Sequence, residues 1–139
     1  MTATYERAVR FEDVDAARLV FFARYFGYCH EALEALFAPM EGGYARVVLV
    51  RGIGFPSVHV EADYMAPLRY GDGVRIATYV LHVGRTSCRL RYDMSRTSDG
   101  ARIAKVEQVV VVTNLATIEK IAIPDDVRAL FESHRVEAA

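Results

Sequence analysis

The chain has 139 residues, with 17 basic and 18 acidic side chains and a formal net charge of −1. This length fits one domain, residues 1–139, and can bury a core without disulfide or metal staples. Hydrophobic residues at 53% and charged residues at 25% exclude a disordered chain, and the near-zero charge argues against a general nucleic-acid binder.

Tyr5–Phe11 alternates loosely and reads as a strand, followed by the acidic turn Glu12-Asp13-Val14-Asp15. Leu19–Phe37 carries the strongest helix signal. Its polar positions Arg24, Gly27, His30, Glu31 and Glu34 fall within an arc of about 120°. The rest of that surface is apolar, which predicts an enclosed helix. Gly27 inside it costs roughly 1 kcal/mol against Ala, so a close packing partner is expected there. Glu41-Gly42-Gly43 ends the helical stretch.

A period of two then takes over. Arg46–Phe55 reads as a strand broken by Pro56. In Val58–Met65, Val58, Val60, Ala62 and Tyr64 share one face and His59, Glu61 and Asp63 the other. The Tyr70-Gly71-Asp72-Gly73 turn leads into strand Val74–Val83, and Gly84-Arg85 turns it into Ser87–Ser95. There Cys88, Leu90, Tyr92 and Met94 oppose Arg89, Arg91, Asp93 and Ser95. Ser98-Asp99-Gly100 signals a hairpin, and Ile103–Thr113, apolar on both faces around Val109–Val112, reads as a central strand. Ile118–Ile123 is a short extended piece. Pro124 opens a last helix running to about His134, with Asp125 and Asp126 at its positive end. One curved sheet around one apolar helix is an α+β fold. Its free edge and outer face predict an oligomer.

No apolar run approaches the ~20 residues of a membrane span, so no membrane role is expected. The opening MTATYERAVRF carries charges where a signal peptide would be apolar, which predicts a cytoplasmic protein. Cys29 and Cys88 then read as buried thiols, and no C-x-x-C pair suggests zinc.

Among polar residues Asp15 stands first. It precedes the long helix, whose free N–H groups could stabilise an oxyanion beside a carboxylate base or nucleophile. The plainer alternative is that Asp13 or Asp15 caps the helix. Cys29 and His30 point about 100° apart and form no dyad. Glu31 and Glu34 read as acid–base groups or as a solvated stripe paired with Arg24. The trio His59, Glu61 and Asp63 has no specific metal spacing, and His59 reads rather as a pocket-lining residue. Arg51-Gly52-Ile53-Gly54 lacks a phosphate-loop pattern. Six basic residues (Arg85, Arg89, Arg91, Arg96, Arg102 and Lys105) face only Asp93 and Asp99 in the same stretch. They read as an anion-binding strip or as a solvated hairpin.

The segment FEDVDAARLVFFARYFGYCHEALEAL, Phe11–Leu36, resembles the helix entry of hotdog-fold acyl-CoA thioesterases of the 4-hydroxybenzoyl-CoA thioesterase-like group. Asp13, Asp15, Val20, Phe21 and Phe22 match its acidic and aromatic positions. FPSVHVEADYMAPLRYGD, Phe55–Asp72, is similar to the group's second signature. The CHEALE stretch and Val58-His59 resemble the 1,4-dihydroxy-2-naphthoyl-CoA hydrolase branch.

The resemblance implies a hotdog fold, a curved antiparallel sheet wrapped around one long helix, assembled as a homodimer or homotetramer. It implies hydrolysis of an acyl-CoA with an aromatic or bulky acyl group, without metal or cofactor. It assigns catalysis to Asp15 and oxyanion binding to the Phe22 amide. It gives CoA contact to Arg85 with Ser87 nearby, and the acyl pocket to Gly54, Phe55 and His59. Arg18 stands where the group usually has Gly, so it contacts the CoA, narrows the pocket or points away. Release from an acyl carrier protein docked on the basic strip, and non-catalytic acyl-CoA binding, are the alternative functions. The apolar surplus not enclosed by the sheet is assigned to subunit contacts, through Val109–Val112 and the outer sheet face.

Overall fold

The computed structural model describes residues 3–136. Strand β1 (Ala3–Ala8) leads through a single 3-10 turn at Phe11–Asp13 to the helix α1 (Arg24–Leu36). A short helix α2 (Gly43–Leu49), the two-residue β2 (Ile53–Gly54) and the edge strand β3 (Ser57–Tyr64) follow. Then come β4 (Gly73–Val83), β5 (Ser87–Arg96), β6 (Arg102–Val111), β7 (Thr113–Asn114), β8 (Glu119–Lys120) and α3 (Asp125–Ser133). The main sheet is antiparallel in the order β1-β4-β5-β6-β3, and β2-β7-β8 form a small second sheet. β6 therefore lies inside the sheet, between β5 and β3.

The alternation of β5 decides its faces. Cys88, Leu90, Tyr92 and Met94 are buried, and the residues between them are half-exposed. They meet Tyr25, Tyr28, Cys29, Ala32, Leu33 and Leu36 of α1 in one core. This is the expected α+β shape, a sheet curled around one helix.

Four expectations need correction. The helix begins at Arg24, five residues later than the apolar run suggests. Arg46–Phe55 is not one strand: Gly43–Leu49 is helical despite its β-branched residues, and only Ile53–Gly54 is extended. Left-handed glycines bracket this helix, Gly42 at φ 73° and Gly52 at φ 67°. It turns Val47 into the core and leaves Leu49 82% exposed. Packing here overrides β propensity. Gly27 has no close packing partner among the described residues, since a Cβ there would meet nothing within 4 Å. Finally, Val110 and Val112 are fully buried inside the protomer, while Val109 and Val111 are half-buried on the other face, so only that second pair is left for a subunit contact.

Uncovered apolar surface lies elsewhere. Seven of the eight residues of β3 are exposed, and Val58 is 62% exposed. Phe21, Phe22 and Phe26 are exposed beside it.

The late helix start has a local cause. Val14 and Val20 form an antiparallel bridge. The Asp15 N–H donates to the Leu19 carbonyl at 3.0 Å, and the Arg18 N–H to the Asp15 carbonyl at 2.9 Å. Ala16, Ala17 and Arg18 thus form a three-residue hairpin loop, whose last position is normally left-handed. Arg18 occupies it at φ 67°. A side chain in that conformation costs roughly 1–2 kcal/mol. Arg18→Gly is expected to raise stability by about 0.5–1 kcal/mol and the thermal midpoint by about 2–4 °C. Arg18→Ala keeps the Cβ and should leave the midpoint close to that of the natural chain. Melts of the three proteins check this, and a destabilised Arg18→Gly would contradict it.

Candidate active site

The hairpin folds Asp13–Asp15 back along Leu19–Phe21. The Phe21 N–H donates to the Asp13 carbonyl at 2.9 Å, and the Val20 N–H to the Leu68 carbonyl at 2.9 Å. The two aspartates divide in role. Asp13 is buried, and its Oδ2 accepts from Arg7 Nη2 at 2.8 Å and from the Arg10 N–H at 2.8 Å. Asp15 is exposed, and its Oδ1 accepts from the Ala17 N–H at 2.8 Å within its own loop. Neither caps α1, whose N-cap residue, Ala23, has no side-chain cap.

The helix entry therefore keeps free donors. The Phe21 carbonyl accepts the Arg24 N–H at 2.8 Å, and the Phe22 carbonyl accepts the Tyr25 N–H at 3.3 Å and the Tyr64 hydroxyl at 3.3 Å. The Phe22 N–H has no acceptor among the described residues. It stands at the positive end of a 13-residue helix. Such an amide is suited to an oxygen that gains negative charge during reaction.

Next to it opens a groove of about 340 Å³, lined by Leu19, Phe22, Tyr25, Tyr64, Met65 and Pro67 among others. That is the size of a small-ligand pocket. Tyr25 and Tyr64 meet edge to face at 5.1 Å. A smaller cavity of about 170 Å³ lies further along α1, between Phe26, Cys29 and His30 on the helix and Ser57 and Val60 on β3. Burial pushes the Cys29 thiol up to about 12, so it stays protonated near neutrality and is no nucleophile. Cys88 is buried and shifted in the same way.

Asp15, Arg18 and Phe22 come together on one loop and helix entry. The other expected site residues stand apart from them within one chain. Gly54 lies under Leu115, which a Cβ there would strike. Phe55 is buried and packs against Phe37, Tyr44 and Phe131. His59 lies on the outer face of β3, where its Nε2 is 2.7 Å from Glu61 Oε1. That hydrogen bond holds the Glu61 carboxyl below its ordinary range. Arg85 and Ser87 sit at the β4–β5 turn, at the opposite end of β4 from the Asp15 loop. The 11 residues of β4 put about 33 Å between the two ends. In the basic strip, Arg89 pairs with Glu107, Arg91 with Asp93, and Arg96 with Asp72 and Asp99. Arg18, Arg85, Arg102 and Lys105 make no ion pair among the described residues.

Sequence reasoning missed Leu19, Tyr25, Tyr64 and Met65 as groove residues. Tyr64 carried a usable signal. It shares the alternation of Val60 and Ala62, and pairs with buried Ala104 on the helix-facing side of the sheet.

Known proteins agree with this architecture. The chain is 30% identical over 138 residues to a 1,4-dihydroxy-2-naphthoyl-CoA hydrolase from Nostoc punctiforme, covering 99% of this chain and 92% of that relative. A solved 1,4-dihydroxy-2-naphthoyl-CoA thioesterase from Synechocystis superposes with a TM-score of 0.84 at 25% identity, covering 94% of this chain and 96% of that one. A solved gentisyl-coenzyme A thioesterase superposes at 0.82 and 29% identity, covering 92% of this chain and 98% of that one. The family model for the thioesterase-like superfamily matches residues 9–131, and with the hairpin, the open helix entry and the wrapped sheet in place, the chain belongs to that superfamily.

Proposed function

We propose that this protein hydrolyses an acyl-CoA thioester with an aromatic acyl group, releasing the free acid and CoA. The observation that carries the reading is the unbonded Phe22 amide at an aromatic-lined groove, with the exposed Asp15 carboxylate on the hairpin that leads into the same helix entry. The family and the names of its similar members support the same class of reaction.

The thioester carbonyl oxygen would accept the Phe22 N–H, and the acyl group would lie against Phe22, Tyr25 and Tyr64. Two routes use this geometry. Asp15 attacks the carbonyl carbon, expels the CoA thiolate and leaves a mixed anhydride that water opens. Otherwise Asp15 takes a proton from a water that attacks the same carbon. In either route the oxygen becomes anionic, and the helix dipole and the Phe22 amide stabilise it. Asp15→Asn removes both the nucleophile and the base, and should lower kcat on an aromatic acyl-CoA by about 10²–10⁴-fold. A steady-state assay checks this, and unchanged turnover would remove Asp15 from the chemistry.

We infer further that the working unit contains at least two chains. Phe22 is 60% exposed and Asp15 is exposed, which leaves the site wet. The free edge strand β3 reaches this groove at Tyr64, and Val58 is uncovered further along it. Such an edge readily pairs with another strand. With Arg85 at the far end of β4, the phosphates of a thioester bound at Asp15 meet an Arg85 supplied by another chain. The paired strip arginines favour CoA over an acidic carrier protein, and relative rates on the two substrate types test that preference. Asp15→Asn and Arg85→Ala chains, each weak alone, should regain a measurable share of kcat/KM when co-expressed, because mixed assemblies contain one intact site. Absence of any gain would contradict a site built from two chains.

A further inference from the structure

The residues that could react at this site are exposed, yet the group that fixes their loop is buried. Arg7 points inward from β1, and its side chain is only 7% exposed. Its guanidinium forks. Nη2 donates to Asp13 Oδ2 at 2.8 Å, and Nη1 donates to Glu31 Oε2 on α1. Glu31 is held from its other oxygen by the Tyr5 hydroxyl at 2.7 Å. The same guanidinium lies 4.3 Å above the ring of Tyr28. One planar cation thus ties β1, the loop and the helix together, a task that a lysine ammonium performs poorly.

Asp13 passes this fixation on. Its side chain takes the Arg7 and Arg10 donors, and its carbonyl takes the Phe21 N–H. The Phe21 carbonyl in turn takes the Arg24 N–H. The peptide that joins Phe21 to Phe22, and so aims the Phe22 N–H, is pinned on the Asp13 side and on the helix side. Asp15 lies two residues beyond Asp13 on the same strand of the hairpin, opposite Leu19.

We propose that Arg7 is a positioning residue, acting through Asp13 to set the Phe22 amide and the Asp15 carboxylate against each other. This rests on the thioesterase reading above. Without the guanidinium, buried Asp13 keeps the Arg10 N–H, with the Tyr28 hydroxyl beside it, and loses its cationic partner. The hairpin then loses its anchor, although the exposed groups are untouched.

The test uses Arg7→Lys, Arg7→Gln, Asp13→Asn and the double variant Arg7→Gln/Asp13→Asn. Arg75→Gln, which removes only the exposed pair with Glu6, is the control. Turnover of an aromatic acyl-CoA is measured well below each melting point. The Arg7 and Asp13 variants should lose about 10- to 100-fold in kcat, with KM held within about threefold. The double variant should be no worse than the weaker single one, because both act along one path. Arg75→Gln should match the natural chain.

Hydrogen exchange supplies a readout that needs no activity. The Phe21 amide should exchange at least about tenfold faster in Arg7→Gln, while the amides of β5 keep their rates. If no acyl-CoA is turned over by the natural chain, the thioesterase reading fails, and the exchange data still decide the positioning role. Unchanged Phe21 exchange, or faster exchange at Phe21 and β5 alike, would overturn the proposal. So would a double variant that loses the product of the two single effects. Should Arg7→Gln fail to fold, Arg7→Lys and Asp13→Asn carry the same comparison.

Discussion

The site depends on a helix that starts without a cap. The first turn of any α-helix presents N–H groups that need acceptors, and most helices supply them from a Ser, Thr, Asp or Asn just upstream. Here the two upstream aspartates are diverted, Asp13 into the ion pair with Arg7 and Asp15 into its own hairpin loop. The Phe22 amide is left without an acceptor among the described residues, which is what the proposed function draws on. Phe22 is 60% exposed, so water can reach this part of the helix entry in a lone protomer, and an amide that water reaches costs little to leave free.

That arrangement explains why a loop of modest length carries so much of the architecture. The bridge between Val14 and Val20 keeps the helix from starting at Leu19. Had the apolar run Leu19–Ala23 been helical, its first free amides would lie about a turn further upstream, out of register with the Asp13 carbonyl that now holds Phe21. Arg18, in a conformation that suits glycine, is the local cost of the hairpin. Its guanidinium has no ion-pair partner among the described residues, and it stands three positions from Asp15.

Much of this was legible in the residues, and the failures have identifiable causes. The alternation of β5 predicted its buried face residue by residue, because a period of two with one covered face leaves little choice. The start of α1 was not legible, since Leu19, Val20, Phe21 and Phe22 suit a helix and the bridge that prevents it depends on tertiary closure. The division of labour between Asp13 and Asp15 was hidden for the same reason: it is made by Arg7, on a different strand. Gly27 invited a packing partner that is absent among the described residues. Alternation in β3 correctly separated His59 and Glu61 from Val60 and Tyr64. It could not tell that both faces would stay uncovered in a single chain.

In the proposed reaction, the Phe22 amide at the open helix entry receives the thioester oxygen. Amide NMR of the protein titrated with a non-hydrolysable ketone analogue of an aromatic acyl-CoA tests it most directly. The Phe22 amide should show the largest downfield proton shift, with smaller changes at Ala23, Tyr25 and Tyr64. Saturable binding that leaves the Phe22 resonance in place while signals elsewhere move would contradict it.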